Sequence, residues 1–206
     1  VADFPKGNQS GMSEAGFFAW LQGEEVRHEF VDGQPAMMTG RSFAHDLIRG
    51  NVLMSLRPQL RGTRCLPFMA VIAVRTYNGN IRYPDVVVAC NVADQQACIA
   101  ENPILVVEVL SRSTRMFDEN GKLEEYKRIP GLDHILHVDP DVARVRLFTR
   151  DAATGWDSEL IAGLDRTVDL GAIGLSVRLS DIYENVAFTP RPRLVTPGTP
   201  LGARTE

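Results

Sequence analysis

The segment Pro103-Ile104-Leu105-Val106-Val107-Glu108-Val109-Leu110 is the most apolar strand candidate in a chain of 206 residues, and one carboxylate interrupts it. A run this uniformly apolar reads as a strand covered on both faces, at the centre of an α/β sheet. Period two sets Glu108 on the face of Ile104, Val106 and Leu110, opposite Val107 and Val109. A carboxylate at such a place loses its hydration and needs a cation, a metal ion or an arginine partner.

Outward from this strand, the flanking segments supply candidates for that partner. Upstream, Leu66 to Arg75 and Ile81 to Cys90 are β-rich and read as a hairpin around Tyr77-Asn78-Gly79-Asn80. Asp85 follows Pro84 and precedes Val86-Val87-Val88, so it begins the buried part of a strand able to pair beside Glu108. Two carboxylates on neighbouring strands repel each other unless a divalent ion lies between them. Mg²⁺ suits that arrangement, because it takes one or two carboxylates plus water and phosphate oxygens, and no Cys/His cluster here favours zinc. Downstream, a helix is expected over about Asp118 to Arg128, stopped by Pro130-Gly131. Asp118, Lys122 and Tyr126 share one stripe of it. The stripe reads either as a solvated face or as the place from which Lys122 stabilises charge at a phosphate or holds an attacking water.

The remaining elements follow from caps, turns and periodicity. A helix is expected over Ser13 to Gln22, then a hairpin of Val26 to Val31 and Gln34 to Met38 turned by Asp32-Gly33, with Glu29 an odd carboxylate in its first strand. Helical spacing recurs from Ser42 to about Leu60. A further hairpin joins His134 to Val138 with Val142 to Thr149, and short strands stand near Ser158 to Ile161 and Thr167 to Leu170. Residues 1–12 read as a flexible lead-in and residues 189–206 as a disordered Pro/Gly-rich tail. Cys65, Cys90 and Cys98 fit no disulfide framework and read as reduced thiols, and no targeting or membrane segment stands out, so a cytoplasmic location is expected.

HEFVDG (His28 to Gly33), AHDLI (Ala44 to Ile48), RYPDVVVAC (Arg82 to Cys90), VVEVLSRSTR (Val106 to Arg115) and DENGKLEEY (Asp118 to Tyr126) together resemble the Uma-type endonuclease family of the PD-(D/E)XK superfamily. The resemblance runs from about Ser13 to Phe188. It implies an α/β fold, a restriction-endonuclease-like mixed central β-sheet flanked by helices, in a single domain over 13–188. It further implies that Asp85 and Glu108 bind metal. The superfamily lysine usually stands two positions after the glutamate, where this chain has Leu110, so Lys122 is its displaced equivalent. Glu29 matches an acid that binds a second metal or orients water. His45 matches a family histidine at the phosphate or supporting the site, although its spacing with Ile48 and Val52 equally suits a core histidine. Arg112 stands where the family has proline and joins Arg115 as a phosphate contact. His28, His134 and His137 receive no role, the last two lying on opposite faces of their strand.

The expected activity is Mg²⁺-dependent hydrolysis of DNA phosphodiesters, with Mn²⁺ able to substitute; the resemblance to the superfamily further implies products ending in 5′-phosphate and 3′-hydroxyl and a fold compatible with a homodimer. The alternative is a catalytically inactive nuclease-fold module that binds nucleic acid or a protein partner. A third reading, a structural domain whose acids meet arginines, stays open. The net charge of −4 is unevenly spread: Arg41 to Arg64 holds five arginines and one acid. Arg49 and Arg57 in that stretch are therefore expected nucleic-acid contacts, with salt-sensitive binding.

Overall fold

The structure, a computed structural model, describes residues 11–38, 42–110 and 121–188. Its frame is a six-stranded mixed sheet, order β10-β9-β8-β7-β6-β3. The strands are β3 (Cys65–Met69), β6 (Val86–Cys90), β7 (Pro103–Val109), β8 (His134–Asp139), β9 (Arg144–Asp151) and β10 (Gly155–Ala162). All neighbours are antiparallel except β7 and β8. The expected central strand is β7, and its alternation divides the core in two.

On one face, Leu105, Val107 and Val109 pack against Ile48, Val52 and Leu56 of helix α2 (Phe43–Gln59) and against a small β-hairpin, β11 (Thr167–Leu170) with β12 (Leu175–Arg178). On the other, Val106 joins Val87, Ile135 and Phe148 beneath Leu123 and Tyr126 of helix α3 (Leu123–Lys127). Ser42 caps α2 by accepting a hydrogen bond from the His45 amide, as its position before the periodic run requires. A short closing helix, α4 (Leu179–Ile182), lies against α2. Neither β12 nor α4 stood out in the sequence as an element.

A second sheet, order β2-β1-β5-β4, joins β1 (His28–Val31), β2 (Gln34–Met37), β4 (Val74–Arg75) and β5 (Ile81–Arg82). Helix α1 (Glu14–Leu21), capped by Ser13, seals it through Phe17, which stacks on Phe30. The turn between β1 and β2 has positive φ at Asp32 and Gly33, and a Cβ on Gly33 would stand 3.1 Å from the Gly11 Cα, so glycine is required there.

Two expectations are corrected. The hairpin of Leu66 to Arg75 with Ile81 to Cys90 is not continuous: each run breaks, its halves serving different sheets. Pro84 has no N–H to give a ladder, and the Tyr83 N–H turns to the Glu29 carboxylate, so pairing stops at the residue before Asp85. Of the helix expected over about Asp118 to Arg128, the described residues show a π-type turn at Gly121-Lys122 followed by α3, and Asp118 lies outside them. Cys65 and Cys90, directly opposite in the β3–β6 register with Cα atoms 3.9 Å apart, form a disulfide instead of remaining reduced, leaving Cys98 free. The Met12 N–H donates to the Gly33 carbonyl, and residues 1–10 of the expected lead-in lie outside the described residues. The tail expectation lies outside the described residues.

Candidate active site

Asp85 stands where the two sheets part. The Val86↔Val107 register, continued by one residue, places it opposite Glu108. Its Oδ2 accepts the Val109 N–H at 2.8 Å, replacing the ladder bond that the strand break removed. Its Oδ1 lies 3.0 Å from Nε2 of His45. A carboxylate only accepts, so that ring nitrogen carries the proton. His45 is buried on the inner face of α2 and points at the acid.

Glu108 is buried in β7 and accepts from the Tyr126 hydroxyl at 2.7 Å. Complete burial, with the Glu108 charge beside it, holds the Tyr126 hydroxyl well above its usual pKa, so it remains a donor. Lys122, at the mouth of α3, sends Nζ to within 3.7 Å of Glu108 and donates to Glu29 Oε1 at 2.9 Å. The sequence-expected Asp85, Glu108 and Lys122 are therefore gathered at one end of the β6–β7 pair.

Glu29 belongs to the same network but faces cations. Its Oε2 accepts from Arg82 at 3.0 Å, and its Oε1 takes Lys122 and the Tyr83 N–H. Among the described residues, no three His, Cys, Asp or Glu side chains converge as ligands of one ion. Glu29, expected to bind a second metal or orient water, has both oxygens engaged by protein donors.

Arg82, almost fully buried, was missed by sequence reasoning. Its Nε and Nη2 grip both oxygens of Glu125 at 2.8 and 2.7 Å, and Asn80 Nδ2 adds a bond to the same carboxylate at 2.9 Å. Burial opposes the charge on Arg82, but the Glu125 bonds and the Glu29 carboxylate outweigh it and raise its pKa. Burial likewise pushes Glu125 upward, and the Arg82 bonds bring it net below the usual carboxylate value. The available signal was a charge inside the Ile81 to Cys90 run, beside the Pro-Asp pair.

Of the expected nucleic-acid contacts, Arg49 and Arg57 are among the described residues, both on α2. Arg49 is paired with Asp46, one turn away on α2, and Arg57 is exposed in the last turn. Twelve residues of helix put Arg57 about 18 Å along the axis from His45. Arg112 and Arg115 lie outside the described residues.

A family model described as "Putative restriction endonuclease", Uma2, matches residues 15–180. An uncharacterized protein of Synechocystis sp., slr1290, is 31% identical over 189 residues, covering 91% of this chain and 96% of its own length. A second from the same organism, sll1609, is 28% identical over 144 residues, covering 66% of this chain and 81% of its own. A crystal structure of a "putative nuclease belonging to DUF820" from Anabaena variabilis superposes with a TM-score of 0.68 at 16% identity, covering 84% of this chain and 97% of that one, and shares the mixed α/β fold. No helix among the described residues is long and apolar enough to cross a membrane. By the extent of these matches, the chain belongs to the Uma2 family, whose members carry a restriction-endonuclease-like description.

Proposed function

We propose that this chain hydrolyses phosphodiester bonds of DNA, with Mg²⁺ or Mn²⁺ held by Asp85 and Glu108. The observation that carries the reading is Lys122 Nζ reaching Glu108 beside the strand break that positions Asp85. The donor set fits the ion: two carboxylates on adjacent strands supply the hard oxygens that Mg²⁺ takes, water and phosphate completing its shell. When bound, the ion supplies Lewis-acid charge neutralisation and a more acidic water.

The protein's own groups do the rest. His45 and the Val109 amide fix Asp85, and Tyr126 fixes Glu108. Glu29 holds Lys122 with its ammonium facing the site, where it stabilises charge growing on the phosphoryl oxygens. Glu29 thus acts by positioning Lys122 and does not ligate the ion. Purified protein should nick supercoiled plasmid with Mg²⁺ or Mn²⁺, and Asp85→Ala should abolish it. Cleavage surviving unchanged in Asp85→Ala overturns the assignment.

One observation favours the second reading, a binding module without turnover: Asp85 and Glu108 both already accept hydrogen bonds from protein donors. Nucleic-acid binding that persists without any Mg²⁺- or Mn²⁺-induced stabilisation selects that reading.

A further inference from the structure

The β7–β8–β9 registers align Glu108, His137 and Arg146 in one row, because Glu108 pairs with His137 and His137 with Arg146. Residues directly paired across strands share a face, so the row continues outward from the Asp85–Glu108 pair on the side covered by α3. It starts buried and ends in solvent: Glu108 and His137 are buried, and Arg146 is exposed. Strand spacing puts Arg146 about 10 Å from Glu108 at the backbone, within the reach of a guanidinium toward a phosphate next to the reacting one.

Two details separate Arg146 from the other cations near the row. Lys122 is held by Glu29 and Lys127 by Glu124, whereas Arg146 makes no ion pair among the described residues. The side chain between Arg146 and Glu108 is an imidazole whose Nε2 is buried with no hydrogen-bond partner. An unsatisfied buried nitrogen costs stability, so its retention there calls for a reason. A carboxylate at position 137 would capture Arg146 in a buried pair. An imidazole instead separates the guanidinium from Glu108 and leaves it facing solvent. Local sequence assigns His137 no role, because only the register shows what stands on either side of it.

We propose that Arg146 binds a backbone phosphate of the nucleic acid adjacent to the one at Asp85 and Glu108, with His137 as the spacer that keeps it out of the carboxylate network. This rests on the nuclease reading above and extends it with a contact outside the expected arginines. The test measures binding of a fluorescein-labelled DNA duplex by anisotropy in EDTA between 50 and 200 mM salt, so it reads neither metal nor turnover. Arg146→Ala should weaken binding and flatten the log K against log salt slope by about one, the signature of one lost phosphate contact. Arg146→Lys should retain the slope, and so should His137→Gln, which stays neutral. Arg178→Ala removes the same charge from β12, where Arg178 is paired with Asp181, and should leave the slope unchanged. Wild-type slope in Arg146→Ala overturns the contact while leaving the nuclease reading standing. A slope lost in His137→Gln but kept in Arg146→Ala overturns the spacer assignment as well. Absence of any DNA binding by the wild-type chain in EDTA overturns the contact, and the plasmid-nicking assay with Mg²⁺ or Mn²⁺ separately decides the reading it rests on.

Discussion

Glu108 and His137 face each other across β7 and β8, and each is buried for a different reason. Glu108 keeps company with Tyr126 and Lys122, a partner set that a lone carboxylate in an apolar run announces. His137 announces nothing, since a histidine fits a core strand as readily as a site. Its environment is nonetheless specific: burial first, then the positive charges of Arg146, Lys122 and Lys127, lower its pKa to about 4. The unfolded chain binds that proton near pH 6.5, so between about pH 6.5 and 4 unfolding takes up a proton that the native state refuses. His137 therefore costs stability as the pH falls through that window, up to about 3 kcal/mol at its lower end, and costs nothing extra below it. Urea denaturation at pH 7, 5 and 4 should show a smaller loss in His137→Gln than in wild type. Equal losses would remove the histidine from the acid response.

At the scale of elements, the strands were legible wherever composition and turn chemistry agreed, as in the Asp32-Gly33 hairpin and in β7. They were illegible where a tertiary contact overrode the local pattern. The break at Tyr83-Pro84-Asp85 needed Glu29 to take one amide and Asp85 to cap another strand, and neither partner is near in sequence. Arg82 was hidden for the same reason, because its partners Glu29 and Glu125 come from a different strand and a helix. The disulfide is the sharpest case. Three cysteines at uninformative spacing imply no pair, whereas the β3–β6 register puts Cys65 and Cys90 face to face. It ties an edge strand to its neighbour across a separation of 25 residues. Loop-closure entropy for a ring of that length corresponds to about 3.5 kcal/mol. Denatured, unreduced protein should therefore titrate one thiol, Cys98, and reductant should lower the urea midpoint by the equivalent of that energy. Three free thiols before reduction would show that the link does not form.

Over the whole molecule, a net charge of −4 is compatible with the proposed polyanionic substrate, because four of the 26 acidic residues are gathered at one place and committed there to protein donors. Glu29, Asp85, Glu108 and Glu125 converge from β1, the β5–β6 break, β7 and α3. Gathering them costs desolvation and mutual repulsion, which Arg82 and Lys122 offset. This separates two energies that the sequence left tangled. Were repulsion between Asp85 and Glu108 the larger of them, Asp85→Asn or Glu108→Gln would stabilise the metal-free protein. Here each carboxylate accepts short bonds from specific donors, so the same substitutions should destabilise it by about 1 to 3 kcal/mol. A divalent ion binding only the native site adds RT ln(1 + [L]/Kd), about 2.7 kcal/mol at a hundredfold excess over Kd. For a chain of this size that corresponds to a rise in Tm of roughly 5 to 10 °C. Differential scanning fluorimetry should show that rise with Mg²⁺ or Mn²⁺ in wild type and its loss in Asp85→Asn and Glu108→Gln, the proposed ligands, while Glu125→Gln, which bonds Arg82 and neither of those two, keeps it from a lower starting Tm. A rise that survives in both ligand variants would place the ion elsewhere on the molecule, and stabilisation by the neutral substitutions would mean that repulsion outweighs the donors around them.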